Sequence, residues 1–275
     1  MGEGADRVRR TTHASTIMSP KPTADAITED AVLGGRLRLR QPRRGHRVGH
    51  DAILLAASCP ARAGDKVIDL GAGVGAAGLA LAARVPGTMV TLVEIDPQLA
   101  ALADENARLN RMAAHVRAVA LDAAAPARAF SAAGLGTDSV TRVLMNPPFN
   151  DPDRQRSSPD AARRLAHTAQ RSVLAPWIKT GARLLRARGT LTLIWRADGL
   201  ADVLAALAPA FGAVTVVPVH PAPERPAIRI LVTAVKGSRA PLVLLPPLVL
   251  ADASGRPTAA AEAVLRDGAA LPGQK

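Results

Sequence analysis

Hydrophobic positions in this chain follow two alternating rhythms. Short apolar runs, Lys66 to Leu70, Thr88 to Val93, Val116 to Leu121 and Arg142 to Met145, read as buried strands. Stretches of helical character lie between them: an Ala/Leu-rich segment ending near Arg84, and Pro97 to Asn110, which opens with proline in its first turn after Asp96. The alternation continues with a helix over Leu174 to Arg186, ended by Gly189, a strand at Thr190 to Ile194 and a helix over Leu200 to Ala208. Two further strands, Val214 to Val219 and Ile228 to Ala234, are joined through Pro221, Pro223 and Pro226 with no helix between them, which suits an antiparallel pair. The pattern predicts an α/β fold: a doubly wound, seven-stranded, mostly parallel sheet with an antiparallel edge strand.

The ends of the chain read differently. Residues 1–29 are polar and aperiodic and are expected to form a disordered extension, in which Met18 is a second candidate start. From Leu33 the spacing changes to a period of two, with Arg36, Arg38 and Arg40 on one face and Leu37 and Leu39 on the other, the signature of a half-exposed strand. Arg43, Arg44 and Arg47 continue the charge, and Asp51 is placed to cap a helix over Ala52 to Ala57. Residues 30–236 are expected to form the main domain. Residues 237–275, with an apolar stretch at Leu242 to Leu250, a turn at Asp252 to Gly255 and a helix over Thr258 to Arg266, are expected to pack on it.

Composition narrows the function. With 48% hydrophobic residues the chain can bury a full core, and its apolar runs are too short or too often broken by proline to span a bilayer. The polar start lacks the apolar stretch of a secretory signal, so a cytoplasmic location is expected. Cys59 is the single cysteine, which leaves no internal disulfide, and His46 and His50 lack partners, so no metal site is expected. The net charge of +12 points to an anionic partner, nucleic acid above all, and the arginine stripe from Arg36 to Arg47 is the place to look for phosphate contacts. A second stretch of this kind, Asn150 to Arg164, reads as a loop or lid, with His167 just beyond it.

Candidate chemistry gathers at strand ends. The strand at Lys66 to Leu70 runs into Gly71, Gly73 and Gly75 and then a helix, an arrangement that lets a nucleotide approach the backbone. Glu94 ends the next strand, about 20 residues on, where an acid binds ribose hydroxyls. Asp69 separates two possible ligands, because a carboxylate before the glycines would repel a pyrophosphate but attract the amino acid end of S-adenosylmethionine. Asp122, past the third strand, is placed to accept from an adenine amino group. After the fourth strand comes Asn146-Pro147-Pro148-Phe149, in a chain with two Trp, three Phe and no Tyr. The prolines hold Asn146 and Pro147 extended, with their acceptors at the sheet edge where ligands bind, although a plain turn has the same local pattern.

With these residues the chain resembles the class I S-adenosylmethionine-dependent methyltransferases of Rossmann-like fold, in their amino-methylating branch. It is most similar to the bacterial tRNA (adenine-N6) methyltransferases. Val48 to Leu55 and Glu105-Asn106 are similar to further motifs of that group, and Phe149 stands where many members have Tyr. The resemblance implies that Asp69, Gly71, Gly73, Gly75, Glu94, Asp122 and Asn146 bind S-adenosylmethionine. It also implies that Asn146 and Pro147 accept hydrogen bonds from the target amino group and that Phe149 stacks on the base. The implied acceptor is N6 of an adenine in tRNA. A protein glutamine, or an amino group of rRNA or DNA, presents the same geometry.

Overall fold

The computed structural model describes residues 27–44, 47–148 and 173–271. The expected disorder of residues 1–26, Phe149, the loop from Asn150 to Arg164 and His167 all lie outside the described residues.

A single sheet organises the molecule. Its main strands are β3 (Lys66–Leu70), β4 (Met89–Glu94), β5 (Val116–Ala120), β6 (Val140–Met145), β7 (Leu185–Arg196), β8 (Phe211–His220) and β9 (Arg229–Lys236). Across the sheet they run β8-β9-β7-β6-β3-β4-β5. All pairings from β7 to β5 are parallel, while β9 lies antiparallel between β7 and β8. The antiparallel pairing therefore sits at the expected end of the sheet, with β9 inserted one place in from β8. The chain order reverses between β3 and β6, and such a switch point opens a crevice beyond the C-terminal strand ends.

Helices cover both faces. On one lie α1 (His50–Ser58), α2 (Ala76–Arg84) and α3 (Pro97–Leu109), packed through Leu54, Leu55, Leu79, Leu81 and Ala103. On the other lie α4 (Ala127–Ala132), α5 (173–184) and α6 (Leu200–Leu207), packed through Phe130, Ile178, Leu184, Val203 and Leu207. This double cover is why β3, β4 and β6 read as continuous apolar runs. Asp96 caps α3 by accepting from the N–H groups of Gln98 and Leu99.

Three elements differ from the expectation. The helix expected to run to Arg186 ends at residue 184, because Leu185 already pairs with Val140 at the start of β7 and Arg188 takes a left-handed φ of 66° before the strand resumes. Asp51 does not cap α1: the helix starts two residues earlier than expected, at His50 behind Gly49, and Asp51 instead accepts from Arg229 Nε at 2.9 Å. β1 (Ile27–Val32) begins within the stretch expected to be disordered and pairs antiparallel with β2 (Leu37–Pro42), the basic strand.

That pairing changes the arginine stripe. Leu37 and Leu39 face inward and Arg38 and Arg40 outward, as the period of two requires. β1, however, sets Glu29 opposite Arg40, from where it pairs with Arg38 as well, and Asp30 accepts from Arg47 at 2.8 Å. A hydrogen bond from Gln41 is the largest of the influences holding the Asp30 carboxyl below its ordinary range.

The C-terminal segment completes the sheet. β10 (Val243–Leu244) and β11 (Leu248–Val249) pair parallel with the outer side of β8, blunting its open edge. α7 (Ala259–Leu265), capped by Thr258, packs on α1, and Leu271 N–H donates to the Ala57 carbonyl at 3.0 Å. Among the described residues no helix is long and apolar enough to cross a membrane.

Candidate active site

The parallel strands bring the candidate residues to one edge. Leu70 pairs with Val93 of β4 and with Met145 of β6, so the chain leaves these three strands side by side as Gly71, Glu94 and Asn146. Glu94 pairs with Ala120, and the Leu121 N–H donates to the Glu94 carbonyl at 2.8 Å, which places Asp122 next along the same edge.

The glycine loop is held from below. The N–H groups of Gly71 and Ala72 both donate to the Val93 carbonyl, at 2.8 and 2.9 Å. Gly71, with φ at 71°, is in the left-handed region, and a Cβ there would overlap Cη2 of Trp177 on α5, so both backbone and space demand glycine. Gly73 and Gly75 also have positive φ, and Gly75 ends the loop as the N-cap of α2.

Gly75 has no side chain to cap the helix it precedes, and Asp69 does so from β3. Its Oδ2 accepts from the Gly78 N–H, in the first turn of α2, at 2.8 Å. Asp69 is only 2% exposed. Burial pushes its carboxyl up from the ordinary 3.8 to about 7, the Gly78 hydrogen bond opposes the rise, and the nearby Glu94 charge adds to it. Asp69 thus lies beneath the loop, not on its surface. Glu94 grips the loop directly: its Oε2 accepts from Gly73 N–H at 2.8 Å and its Oε1 from Asp96 N–H at 3.0 Å. Asp122 is exposed, and its Oδ1 accepts from Ala124 N–H at 2.8 Å in a local turn.

Asn146 is half-buried and Pro147 buried. Asn146 Oδ1 is shielded from solvent and has no hydrogen-bond partner among the described residues. A buried acceptor left in this way costs about 1 to 3 kcal/mol, so the position is suited to a donor that arrives with a ligand.

Two features escape sequence reasoning, and a third, Asn106, is marked there only as part of a motif. Trp177 closes on Gly71 and reads in the sequence only as part of an amphipathic helix. Ile95, directly after Glu94, is 64% exposed and offers an apolar surface at the ligand edge; an apolar residue following a strand-end acid is the signal that marks it. Asn106, buried on α3, donates to the Val74 carbonyl at 3.0 Å and so supports the glycine loop from the side.

The fit to S-adenosylmethionine is chemical: carboxylates suit its polar groups, a glycine loop admits its close approach, and Asn146 Oδ1 offers an acceptor without a partner among the described residues. The sequence matches the methyltransferase small domain family over residues 46–220. It is 30% identical over 179 residues to the tRNA1(Val) (adenine(37)-N6)-methyltransferase of Tolumonas auensis, covering 64% of this chain and 70% of that protein. The enzyme of the same name from Dickeya chrysanthemi is 28% identical over 228 residues, covering 80% and 87%. Among solved structures, a protein of Agrobacterium tumefaciens described as a predicted O-methyltransferase superposes with a TM-score of 0.67 and 32% identity, covering 80% of this chain and 98% of that one. The Thermus thermophilus 16S rRNA N2 G1207 methyltransferase shares the fold, with a TM-score of 0.52 and 19% identity over 76% of this chain and 50% of its own. A glycine loop, strand-end acids and an unpaired amide acceptor at one switch point, in a chain that matches this family over most of its length, make it a member of the methyltransferase small domain family and an S-adenosylmethionine-dependent methyltransferase.

Proposed function

We propose that the chain methylates the exocyclic N6 of an adenine in tRNA, in the cytoplasm, with residues 30–236 as the catalytic body. The observation that carries this reading is Asn146 Oδ1, a buried acceptor without a partner among the described residues. The named relatives, two tRNA adenine-N6 methyltransferases, support the choice of acceptor.

S-adenosylmethionine supplies an activated methyl group on a sulfonium. Glu94 holds the ribose hydroxyls, Asp122 accepts from the adenine amino group of the cofactor, and Ile95 packs on its ring. Asp69 acts from beneath, its carboxyl capping α2 and so steadying the glycine loop against which the amino acid end of the cofactor lies. An adenine amino group is a poor nucleophile because its lone pair is delocalised into the ring. Asn146 Oδ1 and the Pro147 carbonyl accept its two N–H groups, favour rehybridisation, and stabilise positive charge developing on nitrogen. Phe149 stacks on the target base, which must leave its own stack to reach the site. As the N–C bond forms and the S–C bond breaks, the methylated nitrogen becomes cationic and acidic and gives its proton to water. A hydroxyl acceptor, by contrast, needs a base to take its proton for the attack. An amide oxygen and a backbone carbonyl accept hydrogen bonds but remove no proton, and therefore favour nitrogen over oxygen.

The arginines of β2 are the proposed contact to the RNA backbone, with Arg38 and Arg40 exchanging Glu29 for phosphate. Incubation with labelled S-adenosylmethionine and tRNA, followed by nucleoside analysis, is expected to yield N6-methyladenosine. Label in protein glutamine instead would replace this reading.

A further inference from the structure

Of the two Trp and three Phe residues in the chain, Phe130, Trp195 and Phe211 are buried in the core. Phe149 lies outside the described residues, which leaves Trp177, half-buried on α5. Trp177 stands four residues before Gly181, so the two share a helix face. That face packs on the sheet: a Cβ at Gly181 would lie 3.0 Å from Leu191 Cδ1 and 3.2 Å from Met145 Cε. The crossover from β6 to β7 makes α5 run back against the strand direction, so a residue one turn nearer its start overlies the C-terminal end of β6. There the Cη2 and Cζ3 edge of the indole fills the space above Gly71. Gly71 follows Leu70, whose partner Met145 precedes Asn146, so the ring stands at the switch point itself.

A tryptophan that merely filled the core would be covered, as Trp195 is. Trp177 is instead half-buried, with one edge of its indole held against Gly71 at the switch point. We propose that Trp177 is a wall of the ligand pocket: its indole contacts the cofactor near the methyl-transfer point and sets how deeply that cofactor enters. This rests on reading the crevice as the methyl-donor site. A flat aromatic surface suits the task, since it attracts a sulfonium cation and excludes water from the transfer. Gly71 and Trp177 then act as a matched pair, the absent side chain of one making room for the ring of the other.

The test uses the full chain labelled with 5-fluorotryptophan, whose two fluorine resonances are assigned with the variant Trp177→Phe. S-adenosylhomocysteine is titrated while calorimetry on the same sample measures its binding. The expected result is a saturable shift of the Trp177 resonance at the calorimetric Kd, with the Trp195 resonance unmoved. Trp177→Ala should lower kcat/KM by about ten- to a hundredfold, and Trp177→Phe should recover most of that loss. Calorimetric binding with an unmoved Trp177 resonance would overturn the inference alone. Absence of any calorimetric binding would overturn the methyl-donor reading on which it rests.

Discussion

Asn106 pairs with the backbone of Arg40 as a neighbouring strand would, accepting from its N–H at 2.7 Å and donating to its carbonyl at 2.9 Å. Asn110 repeats the arrangement at Arg38, at 2.9 and 2.7 Å. The match is metrical: four residues of helix rise about 6 Å, and two residues of strand about 6.8 Å, so Asn106 on α3 and Asn110 at its C-cap meet alternate residues of β2. α3 thereby docks the basic hairpin, and the third bond of Asn106, to Val74, ties the hairpin to the glycine loop.

Asn106→Ala should therefore destabilise the protein by about 2 to 4 kcal/mol, because it strands buried backbone groups. Asn110→Ala, which removes hydrogen bonds to Arg38 that lie at the exposed surface, should cost about 1 kcal/mol or less. Denaturant unfolding of the two variants measures the difference. Equal losses would mean that the link to the glycine loop contributes nothing.

Asp69 makes folding stability depend on pH in a defined window. Its carboxyl is ionised in the unfolded chain above its ordinary 3.8 but stays protonated in the fold up to about 7. The folded state thus binds the extra proton between these values, and stability falls as pH rises from about 4 to about 7, then levels off. Asp69→Asn keeps an acceptor for the Gly78 N–H and removes the titration, so its melting temperature should lose that part of the slope. A variant with the wild-type slope would contradict the assignment.

Glu94 combines two roles that a pair of substitutions separates. Glu94→Gln retains an acceptor for Gly73 N–H and should keep the loop in place while weakening cofactor binding about tenfold, the worth of one charge-assisted hydrogen bond. Glu94→Ala should weaken it further and also lower stability. Calorimetry with S-adenosylhomocysteine and thermal unfolding read the two effects, and wild-type affinity in Glu94→Ala would remove the residue from the cofactor site.

Much of the sheet was legible because its central strands are covered on both faces and carry uninterrupted apolar runs. The strand-end position of Asp69, the glycines, Glu94 and Asn146 followed from the same runs, since parallel strands place successive C-termini on one edge. β1 was not legible. None of its residues is fully buried, so Ile27 to Val32 shows no apolar face, and its role appears only when Glu29 meets the arginines of β2 and Asp30 meets Arg47. Asp51 misled because its partner, Arg229, comes from the far end of the sheet. Trp177 was hidden for a related reason: a helix pattern shows which face is apolar but not which residue reaches past the sheet end to a glycine.

Asn146 carries the central claim, and single-turnover methyl transfer to tRNA by Asn146→Ala, set beside calorimetric binding of S-adenosylmethionine to the same variant, tests it most directly. Loss of an amide acceptor aimed at the target nitrogen is expected to slow transfer by at least about a hundredfold, the scale of removing one transition-state hydrogen bond, while the cofactor still binds. Wild-type single-turnover transfer by that variant would contradict the account.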